Sequence, residues 1–267
     1  MSRLAARFAS LKNSSRKALV SYIMAGDPTP AVTVPLLHDL VAAGVDVLEI
    51  GLPFSDPMAD GPVIALAAER ALAGGTNTLD VLDMVAEFRK TDADTPVVLM
   101  GYLNPLEIIG YETFAKRASE AGVDGLLLVD LPPEEAGELD AILKQYQLDP
   151  IFLLAPTSTD ARIQHVIKQA RGFIYYVSLK GVTGSGALDT SEAAERIARV
   201  KAQTTLPVGV GFGIRDAQTA KKMGSVADGV IVGTVLVQPF GENPADVAHQ
   251  LAVSKIKELR AALDELV

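Results

Sequence analysis

LEIGLPFSDPMADGP, residues 48 to 62, opens as an apolar strand and runs on into an acidic loop bounded by prolines. The strand carries one carboxylate, Glu49, and the loop after it holds Asp56 and Asp60. A buried strand has no structural use for an unpaired carboxylate, which either costs several kcal/mol or takes a raised pKa. A sequence that keeps Glu49 there points to a group that exchanges protons near neutral pH. The plainer reading is a strand-end Glu in an ion pair and an Asp capping the helix that begins at Gly61-Pro62. The joint placement of Glu49 and Asp60, eleven positions apart on one strand and its loop, favours chemistry.

The same unit of apolar run, loop and amphipathic helix repeats along the chain. Eight runs are legible: Leu19 to Met24, Val47 to Gly51, Val97 to Gly101, Leu126 to Asp130, Ile151 to Leu154, Ile174 to Ser178, Val208 to Phe212 and Val230 to Gly233. Most are apolar throughout, as expected of parallel strands covered on both faces. Between them, Pro30 to Ala43 places Val34, Leu37, Leu40 and Val41 on one side of a helix, and Leu79 to Phe88 does the same with Leu79, Leu82, Val85 and Ala86. Where helices hand over to strands an echo recurs, in Ala43-Gly-Val-Asp46, Ala121-Gly-Val-Asp124 and Ala227-Asp228-Gly-Val, with Gly44 and Gly122 placed to close helices. MSRLAARFASLKNSSRK reads as an additional N-terminal amphipathic helix and not as a signal peptide. Eight such units predict a (β/α)8 barrel in one domain spanning residues 1–267, since a doubly wound sheet normally uses fewer strands. Catalytic groups then belong at the C-terminal ends of strands, where Glu49 and Asp60 fall.

Composition narrows the function. With 267 residues, 49% of them hydrophobic, the chain has material for a large core. Its net charge of -9 and lack of a basic cluster argue against nucleic acid or an anionic membrane as partner. The absence of cysteine excludes disulfides, thiolate nucleophiles and Cys-ligated metals, and fits a reducing cytoplasm. No stretch approaches the roughly 18 apolar residues of a membrane span. His38, His165 and His249 fall in separate helical segments without metal-ligand spacing.

A second constellation concerns phosphate. Gly181-Val-Thr-Gly184-Ser-Gly186 follows strand six, Gly209-Val-Gly-Phe-Gly213 ends strand seven and Val232-Gly-Thr234 ends strand eight. Any one of these alone reads as a turn. Three on adjacent loops match the common barrel phosphate site, in which glycines let backbone N–H groups and a helix N-terminus approach the anion. Tyr175, on strand six, is placed either in the core or with its hydroxyl toward a polar substrate tail. Lys180, just past that strand, raises a rival chemistry through a Schiff base, although a lysine at that position is more often exposed.

LEIGLPFSDPMADGP, MGYLNP at Met100 to Pro105, SLKGVTG at Ser178 to Gly184 and GFGI at Gly211 to Ile214 together resemble the tryptophan synthase alpha subunit family. MAGDP at Met24 to Pro28 and the acidic DLPPEE run from Asp130 also match, so the likeness extends nearly end to end. The resemblance implies cleavage of indole-3-glycerol phosphate to indole and glyceraldehyde 3-phosphate. It further implies an alpha-beta-beta-alpha assembly in which indole passes to a beta subunit, with no cofactor in this chain and pyridoxal phosphate expected only in that partner.

On the matched positions, Glu49 would move the proton at the ring carbon and the side-chain hydroxyl, and Asp60 would face the indole nitrogen. Tyr175 would help place the glycerol part, Thr183 would be a further substrate-binding residue, and Gly184, Gly213, Gly233 and Thr234 would hold the phosphate. Tyr22, Ile64, Met100, Leu127 and Phe212 would wall the indole ring. Tyr22 and Met100 stand where the family usually has Phe and Leu, and the loop after strand six is shorter than in some relatives. Weak activity alone and strong activation by the beta subunit are expected. Other readings are a stand-alone lyase that releases free indole, a Schiff-base aldolase using Lys180 and a non-catalytic phosphate-binding scaffold.

Overall fold

The chain forms a (β/α)8-type barrel in a computed structural model that describes residues 2–177, 190–211 and 213–266. Its strands are β1 (Ala18–Met24), β2 (Val47–Gly51), β3 (Val97–Gly101), β4 (Gly125–Leu128), β5 (Asp149–Pro150), β6 (Phe152–Leu154), β7 (Ile174–Val177), β8 (Val208–Gly211) and β9 (Gly229–Val232). All strand pairs are parallel, in the order β5-β4-β3-β2-β1-β9-β8-β7-β6. The fifth of the eight expected strands is split. Pro150 has no N–H to donate to a ladder, so β5 pairs with β4, β6 pairs with β7, and Ile151 alone separates them. The chain itself thus closes the ring. The fourth strand ends at Leu128, short of the expected Asp130, whose carboxylate instead accepts the Leu103 backbone N–H at 2.9 Å.

The helices are α1 (Arg3–Asn13), α2 (Pro30–Ala42), α3 (Pro62–Ala73), α4 (Thr78–Arg89), α5 (Leu103–Ile109), α6 (Tyr111–Ala121), α7 (Gly137–Gln145), α8 (Asp160–Gln169), α9 (Thr190–Lys201), α10 (Ala217–Gly224), α11 (Thr234–Glu242) and α12 (Ala245–Asp264). As read from the sequence, His38, His165 and His249 lie on three different helices, α2, α8 and α12. Proline at the first turn starts α2 and α3, and an Asn77/Asp80 capping box starts α4. Gly122 ends α6 at φ +90°, a conformation that glycine adopts without penalty.

Two buried layers result. The outer one joins the outward faces of the strands to the helix ring. The inner one fills the barrel with Ala18, Val20, Val47, Val98, Leu127, Ile151, Phe173 and Ile231. Helix α1 completes the inner layer from below: Ser2 caps it, Leu4, Phe8 and Leu11 enter the barrel's N-terminal end, and Phe8 packs on Phe173 at 5.6 Å. Burying Leu4 and Phe8 contributes roughly 2 kcal/mol each.

The sequence echo acquires a structural role at this lower end. Asp46, Asp124 and Asp228 each precede a strand, and each side chain accepts the N–H near the start of the neighbouring strand, from Leu19, Val97 and Val208, at 2.8 to 2.9 Å. Their own N–H groups return bonds to the Leu19, Val97 and Val208 carbonyls. Cations complete each clasp: Arg16 and Arg260 on Asp46, Arg3 and Arg89 on Asp124, and Lys201 on Asp228.

Candidate active site

Glu49 occupies the centre of β2, in register with Tyr22 on β1 and Val98 on β3. Strand alternation turns it into the barrel, where it is 1% exposed, and neither carboxylate oxygen has a hydrogen-bond partner among the described residues. Burial above all, reinforced by the nearby Asp60 charge, raises its pKa to about 8. At neutral pH Glu49 is therefore a protonated acid within reach of ionisation.

Asp60 hangs over this group from the loop between β2 and α3. Burial raises its pKa, opposed by a hydrogen bond that the Tyr102 hydroxyl donates to Asp60 Oδ2 at 3.1 Å. The same hydroxyl accepts the Ala59 backbone N–H at 3.0 Å, and the Tyr102 ring packs on Phe54 at 5.2 Å between centroids. Tyr102 immediately follows β3, so it fixes the Asp60 loop to the rim of the barrel. It is a site residue that the sequence reading passes over, although it stands within MGYLNP and at a strand's C-terminal end.

Beside Asp60 lies a narrow cavity lined by Tyr22, Met24, Leu52, Phe54, Met100, Tyr102 and Val129 among others. Tyr22, Ile64 and Met100 pack in one cluster at this mouth. Leu127 pairs in register with Met100 but is fully buried in the inner barrel layer, outside the cavity lining. Tyr175 reaches across β8, where a Cβ on Gly211 would come within 2.2 Å of its hydroxyl, and Glu49 is the foremost charge raising its pKa after burial. Met24, Leu52, Phe54 and Val129 also line the cavity, and the sequence offers no signal that separates them from ordinary core residues.

For the phosphate candidates, Gly213 adopts φ +77° and Gly233 caps α11, whose first residue is Thr234. The first N–H groups of α11 have no acceptor within the helix. Thr183, Gly184, Phe212 and Lys180 lie outside the described residues. Beside the mouth, Asp27 in the loop after β1 accepts two hydrogen bonds of 2.6 and 2.8 Å from Arg70, which ties that loop to α3.

A family model for the tryptophan synthase alpha chain matches residues 8–265. The chain belongs to the tryptophan synthase alpha chain family. The tryptophan synthase alpha chain of Acinetobacter baumannii is 72% identical over the full length of both chains, and that of Nitrosococcus oceani is 57% identical over 99% of this chain and 98% of its own. Among solved structures, the alpha subunit from Legionella pneumophila superposes with a TM-score of 0.93 at 45% identity, covering 99% of each chain. Tryptophan synthase from M. tuberculosis in its aminoacrylate-bound form gives 0.87 at 37% identity, over 98% of this chain and 100% of the other. Among the described residues, no helix is long and apolar enough to cross a membrane.

Proposed function

We propose that Glu49 and Asp60 carry out, in this chain, the reaction of its family, the retro-aldol cleavage of indole-3-glycerol phosphate to indole and glyceraldehyde 3-phosphate. The observation that carries the reading is Glu49 itself, a buried acid with a pKa of about 8 and no protein partner among the described residues, set beneath a second carboxylate. Neutral Glu49 gives its proton to the ring carbon that bears the side chain. The ring nitrogen becomes cationic, and Asp60, kept toward its ionised form by Tyr102, accepts the N–H and balances the charge. Glu49, now a carboxylate, takes the proton of the side-chain hydroxyl. The carbon–carbon bond breaks, its electron pair returns to the ring, and the hydroxyl carbon becomes an aldehyde. Glu49 ends the cycle protonated, as it began, so the step balances without a redox partner.

Tyr175, with Thr183, is assigned to the glycerol part, and Gly184, Gly213, Gly233 and Thr234 to the phosphate. Tyr22, Ile64, Met100 and Phe212 are assigned to the wall of the indole ring, and Leu127, buried in the inner layer, to the floor beneath it. The reading gives this chain no cofactor, places pyridoxal phosphate in the beta subunit, treats residues 1–267 as one domain and locates the protein in the cytoplasm. The beta subunit is its partner, and two bulky apolar side chains support docking on the catalytic rim: Met58 in the Asp60 loop is 87% exposed, and Ile108 on α5 is 80% exposed.

The test is indole release from indole-3-glycerol phosphate by the purified chain, with and without a beta subunit. Slow release alone and a strong increase with the partner are expected. No release under either condition would overturn the assignment, and equal turnover under both would overturn the activation.

A further inference from the structure

Tyr22 is held between two glycines. A Cβ on Gly51 would come within 2.3 Å of the Tyr22 hydroxyl, and one on Gly233 within 3.3 Å of the Tyr22 Cβ. Gly51 thus leaves the space through which the phenol extends over β2. It stands two residues beyond Glu49, on the same face of the strand. The ring is buried against Met24, Ala68 and Met100, yet the residue lines the cavity shared with Asp60 and Tyr102. No described residue donates a hydrogen bond to the Tyr22 hydroxyl or accepts one from it. The hydroxyl brings to the cavity wall a donor that a phenyl ring of the same volume lacks.

The complementary group faces the same cavity. Asp60 Oδ2 accepts from Tyr102, while Oδ1 has no described donor. Tyr22 and Tyr102 stand on the strands flanking β2, so they approach the Asp60 loop from opposite sides. Of the charges that act on the Tyr22 phenol, that of Asp60 is the largest, ahead of Glu49, and both keep the phenol protonated as a donor.

We propose that in the substrate-loaded site the Tyr22 hydroxyl donates to the free oxygen of Asp60, so that tyrosines from β1 and from the end of β3 hold this carboxylate on both sides and aim it at the indole nitrogen. Tyr22 is then a positioning residue that acts on the reaction through Asp60. The inference rests on the assignment of Asp60 to that nitrogen.

Tyr22→Phe removes the oxygen and keeps the ring, and circular dichroism checks that the fold is retained. With the beta subunit present, kcat is expected to fall about tenfold, the scale of one charge-assisted hydrogen bond, while KM changes less than about twofold. The acid limb of the kcat profile should move to higher pH, because the ionised carboxylate loses a donor. In an Asp60→Asn background the same substitution should change the residual rate by no more than about twofold. A kcat within twofold of wild type, an unshifted acid limb, or an undiminished effect in the Asp60→Asn background would overturn the proposal. Any of these against an active wild type leaves the assigned reaction standing, whereas a wild type that releases no indole overturns both.

Discussion

Asp46, Asp124 and Asp228 at the lower end of the barrel, and Glu49 within β2 with Asp60 on the loop that follows it, are all carboxylates of the barrel, but their surroundings are opposite. Each lower carboxylate binds a neighbouring strand's N–H and at least one cation. The upper pair has one hydrogen bond in total from described residues, that of Tyr102 to Asp60. Below, the acid is consumed in closing the sheet; above, it is left with unspent hydrogen-bonding capacity in a partly dry space. The difference separates residues that hold the barrel from residues that work in it.

Exchanging the properties of the two ends gives the sharpest tests. Glu49→Gln is expected to lower indole-releasing turnover on the order of 10³-fold, the range of a lost general acid–base group, as measured at saturating substrate with the beta subunit present. Asp124→Asn, measured in the same way, should leave turnover per folded molecule within about twofold. Retained activity in the first or collapse in the second would erase the distinction.

Stability should respond in the reverse sense. Asp124→Ala leaves the Val97 N–H without its acceptor and takes one carboxylate from Arg89, which keeps the Gly122 and Thr95 carbonyls, and chemical denaturation should show a loss of about 1–3 kcal/mol. Glu49→Gln should stabilise the fold, and increasingly so as pH rises. The folded pKa of about 8 lies above the unfolded value, so the acid is protonated in both states near pH 4 and carries no penalty there. Between the two values only the unfolded chain ionises, which draws the wild type toward unfolding. Glutamine removes that linkage, a gain of about 3 kcal/mol at pH 7 that should vanish near pH 4. A pH-independent difference would mean that Glu49 has an unrecognised partner. A smaller loss than that of Glu49→Gln is expected of Tyr102→Phe, which frees the Asp60 loop from the rim and should reduce turnover about tenfold with little change in melting temperature.

The sequence disclosed these regions unequally. Parallel strands covered on both faces read as unbroken apolar runs, so β1, β2 and β3 were visible almost to the residue, and Glu49 stood out because nothing polar surrounds it. The split at Ile151 depends on which neighbour each half of the strand meets, and register is not written locally. The Gly-Val-Asp echo was legible as a pattern, but its work was not, because each aspartate answers a strand that lies 20 to 27 residues earlier in the chain. Tyr102 was hidden in another way: a tyrosine after an apolar strand looks like core until the loop carrying Asp60 folds back onto it. Helix α1 was expected as a helix, but an amphipathic face does not say which end of a barrel it will fill.

That placement of α1 makes the barrel a vessel with a single opening. With Leu4, Phe8 and Leu11 stopping its base, substrate and product are left one rim to cross, the rim that also bears Asp60 and Met58. Whatever covers that rim governs traffic in both directions, the exit of an apolar product included.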